Sequence, residues 1–176
     1  MHLANSIVIL RRFSPADGPT VQRLAGDPTV ADTTLAIPHP YPDGAAEAWI
    51  ATHEAQFADG TGAIFAIASP ADGALLGAIG VRIDPAHRHG EIGYWIGKPF
   101  WGRGYATAAL RLFVECCFAQ FDLHRVYAHH LVRNPASGRV MQKAGMRFEG
   151  TLRGHICKAG QFEDIAFYGL LKGDHV

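Results

Sequence analysis

The chain changes its hydrophobic period in the middle of the stretch from Gly90 to Phe113, and that change constrains the fold more than any other feature. Over Glu91–Ile96 the residues alternate. This predicts a strand with Ile92, Tyr94 and Ile96 on one face and Glu91, Gly93 and Trp95 on the other. Pro99, which has no N–H to give to a ladder, ends it. From Gly104 onward Ala106, Ala109, Leu110, Phe113, Cys117 and Phe121 recur at spacings of three and four, the stripe of a helix. Trp101-Gly102-Arg103-Gly104-Tyr105-Ala106 lies between. Two glycines open backbone conformations closed to other residues. The helix behind them starts with unpaired N–H groups and the positive end of its dipole. A strand, a glycine turn and a helix in that order make a phosphate site, to which Arg103 can add charge. The plainer alternative is a turn whose glycines serve packing alone.

Two familiar phosphate binders fit poorly. No G-x-x-x-x-G-K-S/T run is present, which argues against a Walker nucleotide site. Gly102-x-Gly104-x-x-Thr107 looks like a dinucleotide fingerprint without its third glycine, but about a hundred residues precede it. The acidic residue such a motif needs would be Asp122, which precedes the next apolar run instead of ending it.

The remaining chain reads as a mixed α/β single domain over residues 1–176. A first strand is expected over Ser6–Phe13, then a helix opened by Ser14-Pro15 and running to Ala25, and a short one from Asp27-Pro28 to Leu35. A proline-stiffened loop follows over Ala36–Pro42. A third helix, capped by Asp43, carries Ala46, Trp49, Ile50, His53 and Phe57 on one stripe. Gly62–Ser69 and Leu75–Ile83 read as a hairpin across Pro70–Gly73. The long helix runs to Phe121 and His124–Val132 is the next strand. Asn134-Pro135 then reads as N-cap and first residue of a helix closed by Gly145. Met146–Thr151 and Phe162–Leu171 are the last strands, joined across Lys158–Gln161.

Composition removes several function classes. Formal net charge is zero, which argues against bulk nucleic-acid binding. Three cysteines without framework spacing suit a reduced, cytoplasmic setting. Ile7–Leu10 is too short for a secretion signal, and no apolar run is long enough for a membrane helix. Ten histidines invite a metal, but His129 and His130 alternate across a strand and no H-E-x-x-H or paired-cysteine spacing accompanies them. No metal is expected.

Trp101–Ala106 resembles the acyl-CoA-binding motif of the GNAT acetyltransferases, Gln/Arg-x-x-Gly-x-Gly/Ala, with Trp101 in the first place. Glu-Ile-Gly-Tyr-Trp-Ile before it, the Pro-His-Pro-Tyr-Pro loop, Leu76–Gly80, Asn134-x-x-Ser137-x-Arg139-Val140, Phe148-Glu149-Gly150 and Gly160-x-Phe162-x-Asp164 are similar to the branch of the ribosomal-protein alanine N-acetyltransferases. The likeness covers essentially the whole chain.

It implies a mostly antiparallel mixed sheet with a central splayed parallel strand pair and flanking helices. It also implies acetyl-CoA as co-substrate, with its diphosphate on Gly102, Arg103, Gly104, Tyr105, Ala106 and Thr107 beside Trp101. The pantetheine arm would lie along Tyr94, Trp95 and Ile96, where Gly93 suits a bulge at the splay. Catalytic candidates are Glu91 as base, His155 as its competitor where the branch carries a carboxylate, and Ser137 as proton donor to the leaving thiolate. Asn134 is a cofactor contact that doubles as helix cap. The acceptor is a primary amine on a protein N-terminus or a small molecule, and a homodimer is plausible. The alternative from another class is an acyl-CoA-binding sensor that has lost transfer.

Overall fold

The computed structural model describes residues 3–174. Eight strands form one sheet in the order β1-β2-β3-β4-β5-β6-β8-β7. They are β1 (Leu3–Ala4), β2 (Ile9–Arg11), β3 (Gly62–Ala68), β4 (Leu75–Asp84), β5 (His89–Ile96), β6 (Arg125–Leu131), β7 (Arg147–Lys158) and β8 (Gln161–Leu171). Every neighbouring pair is antiparallel except β5 and β6. Helices α1 (Gly18–Ala25), α2 (Pro28–Thr33), α3 (Ala45–Ala51) and α4 (His53–Ala58) fill the link between β2 and β3. Helix α5 (Tyr105–Gln120) joins β5 to β6, and α6 (Pro135–Lys143) joins β6 to β7.

Alternation along the strands divides two cores. The even residues of β5, Ile92, Tyr94 and Ile96, pack with Leu110, Phe113, Val114 and Cys117 of α5. Trp95, on the odd face, packs against Val21 and Ala25 of α1 and Ala46 of α3. The sheet is therefore covered on both faces, and what separates β5 from β6 opens a path from one layer to the other.

Several boundaries differ from the sequence expectation. The first strand shrinks to Ile9–Arg11, and Pro15–Asp17 is a 3-10 turn before α1. The short helix starts at Asp27-Pro28 as expected, and Asp27 caps it, accepting from the Thr29 N–H at 2.8 Å. Asp43 does not cap α3: that place is held by Gly44, whose φ of 76° lets the chain turn inward. The expected third helix is broken into α3 and α4 at Thr52, whose hydroxyl donates to the Trp49 carbonyl at 2.8 Å. Strand β7 continues past Thr151 to Lys158, with register shifts at Phe148/Gly150 and Leu152/Ile156. Ala159 and Gly160, both at positive φ, make the two-residue turn into β8. Gly93 is not bulged, because it pairs in register with Gly80 of β4.

Candidate active site

The parallel pairing of β5 and β6 lasts three residues, His89 with Arg125, Gly90 with Val126 and Glu91 with Tyr127. Beyond Glu91 the strands part, so β5 from Ile92 to Ile96 has a strand partner only on its β4 side. Into this wedge opens a cavity of about 1120 Å³, above the roughly 300–1,000 Å³ of ordinary small-molecule pockets. Its lining reaches from the glycine turn, past Tyr94 and Ser137, through the wedge to Glu91, Trp95 and His129, and on to Tyr41 and Trp49. It traverses the sheet.

At one end lies the turn. Gly102 and Gly104 sit at φ 76° and 81°, and a Cβ on either would meet nothing within 4 Å. They are there for backbone conformation and not for close packing. Gly104 is the N-cap of α5, and its carbonyl takes the first helical bond, from the Ala108 N–H at 3.0 Å. Among the described residues the N–H groups of Gly102 to Thr107 have no acceptor. The Trp101 indole N–H donates to the Ile96 carbonyl at 2.6 Å, tying the turn to the end of β5. Arg103, Arg139 and Lys143 line this end, and none forms an ion pair among the described residues. Free main-chain donors, a helix N-terminus and three cations without ion-pair partners among the described residues are together suited to hold an anion.

Along the even face, the Tyr94 hydroxyl lies 2.8 Å from Ser137 Oγ and donates to the Ser137 carbonyl at 3.2 Å. Burial holds the Tyr94 phenol well above its ordinary pKa, so it stays protonated. Asn134 occupies the N-cap position of α6, but its side chain makes no cap. It donates instead to the Thr33 carbonyl of α2 at 3.4 Å, while its main-chain carbonyl accepts from the Ser137 N–H at 3.2 Å. The expected double role as cap is thereby corrected: the competing acceptor comes from a distant part of the chain. Gly145 does close α6, at φ 88° with its N–H on the Gln142 carbonyl at 3.0 Å.

On the odd face Glu91 pairs with Arg82, its cross-strand neighbour on β4. Arg88, nearer to Glu91 in sequence, is bound to Asp122 instead. The Tyr127 hydroxyl donates to Glu91 at 3.4 Å, and His129 Nδ1 stands 3.6 Å from the other carboxylate oxygen. Burial, chiefly, holds His129 below its usual pKa, opposed by the Glu91 charge. From the sequence His129 is weighed only as a metal ligand and not as a partner of Glu91. His155 lies on β7, exposed, its ring 6.4 Å from that of Phe167, and is not among the cavity-lining residues.

The far end is walled by apolar side chains from α1, the proline-rich loop and α3. The α2 side of it is braced: Lys158 Nζ donates to the Ala31 and Thr34 carbonyls at 2.9 and 2.7 Å. No helix among the described residues is long and apolar enough to cross a membrane.

The chain matches the acetyltransferase (GNAT) domain family over residues 8–147. A Bacillus subtilis (strain 168) protein, YdaF, provisionally named a ribosomal N-acetyltransferase, is 38% identical over 102 residues, 57% of this chain and 56% of that protein. The matched stretch is thus little more than half the length of that relative. A crystal structure described as a probable acetyltransferase superposes with a TM-score of 0.86 at 29% identity, over 99% of this chain and 98% of the other. RimL, a ribosomal L7/L12 α-N-protein acetyltransferase solved with coenzyme A, superposes over the whole of both chains with a TM-score of 0.89 at 17% identity, a likeness of fold. The chain belongs to the GNAT acetyltransferase family and resembles its ribosomal-protein N-acetyltransferase branch.

Proposed function

We propose that this protein moves an acetyl group from acetyl-CoA to a primary amine by direct attack, both substrates being bound at once. The observation that carries the reading is the cavity that crosses the sheet, with unpaired main-chain donors at one end and a paired carboxylate beside the His129 imidazole at the other. In this reading the N–H groups of Arg103 to Thr107 hold the diphosphate, aided by Arg103, Arg139 and Lys143. The open edge of β5 from Tyr94 to Ile96 pairs with the amide-rich arm as a missing strand would. Asn134 and Ser137, at the start of α6, flank the arm. A main-chain N–H of β5 polarises the thioester carbonyl, a contribution worth roughly 3–4 kcal/mol at comparable sites. Holding amine and thioester together supplies up to roughly 7–11 kcal/mol more. Acid–base groups add about 10²–10⁴-fold.

Charge favours an α-amine as acceptor. A protein α-amine has a reference pKa near 8 and a lysine amine one near 10.4, so near neutrality about a tenth of the former is already uncharged. The acceptor end is walled by Val21, Ala25, Ile37, Tyr41, Trp49 and Trp95, with Glu91, already paired to Arg82, as its acidic side chain. An α-amine next to an apolar group suits that wall better than a polyamine.

The test is thiol release from acetyl-CoA with peptides bearing free Ser, Ala or Met N-termini, L-phenylalanine, phenethylamine and spermidine. Turnover with α-amines and little with spermidine is expected. Tight acetyl-CoA binding with no turnover of any of them would leave a sensor and refute the reading.

A further inference from the structure

The sequence points to Glu91 as the group that takes the proton from the acceptor, but the structure gives its carboxylate other work. One oxygen is bound to Arg82 and accepts from the Tyr127 hydroxyl. The other faces a ring nitrogen of His129. The alternation of β6 puts His129 two residues beyond Tyr127, hence on the Glu91 face, at the point where the wedge has just opened. Its Nδ1 is buried without a hydrogen-bond partner and lies 3.6 Å from Glu91 Oε1, a gap that a small side-chain movement closes. The ring packs on that of Phe167, centroids 5.1 Å apart. Nε2 is not among the buried unpartnered atoms, and the ring lines the cavity.

We propose that His129 is the general base of this site, taking the acceptor's proton on Nε2, and that Glu91 is its positioning residue, holding the Nδ1–H tautomer. The proposal rests on the acetyl-transfer reading above. The acceptor ammonium gives one proton to Nε2. The freed lone pair forms the C–N bond, and the C–S bond breaks with its electron pair left on sulfur. The nitrogen then loses its second proton, the thiolate gains one, and the imidazolium returns its proton to solvent, so one proton is released per turnover. Phe167 of β8 packs on the ring, and the charged or titratable groups that act on it are Glu91 from β5, His155 from β7, His130 on the opposite face of β6 and Arg82 from β4, with Tyr127 beside it on the Glu91 face of β6. Burial lowers the pKa of His129 and so keeps it neutral near pH 7, while Glu91 raises it toward the useful range.

Two measurements test this. Nitrogen-15 NMR of the histidine rings reads the tautomer without any acceptor. Nδ1–H with a bare Nε2 is expected, with the titration moving to lower pH in Glu91→Gln. An Nε2–H tautomer, or a titration that Glu91→Gln leaves in place, overturns the pairing. In the assay above, on whichever acceptor is turned over, His129→Gln should lower kcat/KM by ~10²-fold or more with acetyl-CoA affinity unchanged. Imidazole should restore part of the activity of His129→Gly. Activity within threefold of the parent for His129→Gln, or a loss seen in His155→Gln alone, overturns it. The expected tautomer in a protein that turns over no acceptor would instead refute the acetyl-transfer reading, and the base's role with it.

Discussion

Replacing Gly104 by alanine separates a glycine that serves a ligand from one that serves the chain. Gly104 sits at φ 81°, and an added Cβ there would meet nothing within 4 Å. The cost of Gly104→Ala is therefore conformational, ~1–2 kcal/mol for an L-residue held in the left-handed region. For a chain of 176 residues that corresponds to a fall in Tm of about 2–8 °C. Gly60, between α4 and β3 at φ 68° with the same open surroundings, carries the same cost far from the turn. Gly60→Ala is thus the matched control. If the Gly104 backbone relaxes toward negative φ, the N–H groups of Gly104 and Tyr105 swing away from their shared focus. Losing one hydrogen bond to a charged group costs ~1.5–3 kcal/mol, a weakening of roughly 10–150-fold. Calorimetric titration with CoA on both variants, beside thermal melts, reads this. Similar Tm losses with weakened CoA binding in Gly104→Ala alone are expected. A Gly104→Ala protein that loses stability as Gly60→Ala does, yet binds CoA within twofold of the parent, would refute the reasoning.

Two further outcomes follow from buried groups. His53, half-buried between Phe13 and Trp49, has both ring nitrogens buried without a partner and a pKa held down to about 4 by burial. Its unfolded value is higher, so the fold has its full stability above about pH 6.5 and loses it as pH falls toward 4, by ~1–2 kcal/mol after allowing for partial exposure. Melts of His53→Phe should show a shallower decline over that range, and equal slopes would contradict it. Tyr94 and Ser137 share one hydroxyl contact, so Tyr94→Phe and Ser137→Ala should be non-additive in kcat/KM, with a coupling of about 0.5–3 kcal/mol in a double-mutant cycle; additivity would show that the contact has no catalytic weight.

What could be read from the sequence was what local rules decide. The period change from β5 to α5 and the positive φ of Gly102 and Gly104 needed no tertiary information. Gly73 and Gly145 likewise sit where a turn and a helix end demand positive φ. Misreadings arose where a distant partner outbid a local one. Asn134 reads as a cap, yet it bonds to Thr33 from 101 residues away. Arg88 lies nearer Glu91 in sequence than Arg82 does, but the β4–β5 register places Arg82 opposite. The stretch after Thr151 reads as a link because its pairing with β8 is broken by register shifts that periodicity cannot anticipate. His129 reads only as a rejected metal ligand for a related reason. Alternation separates it from His130, and that same alternation, combined with the Glu91–Tyr127 register, sets it on the Glu91 face. Arg139 and Lys143 carry no local sign of a ligand, and it is the fold that brings them to the cavity lined by the turn.

A crystal structure with acetyl-CoA bound tests the central claim most directly. The account predicts diphosphate oxygens at ~2.7–3.2 Å from main-chain nitrogens between Arg103 and Thr107, with the acetyl group in the wedge between β5 and β6. A diphosphate bound elsewhere, with those nitrogens facing solvent, would contradict it.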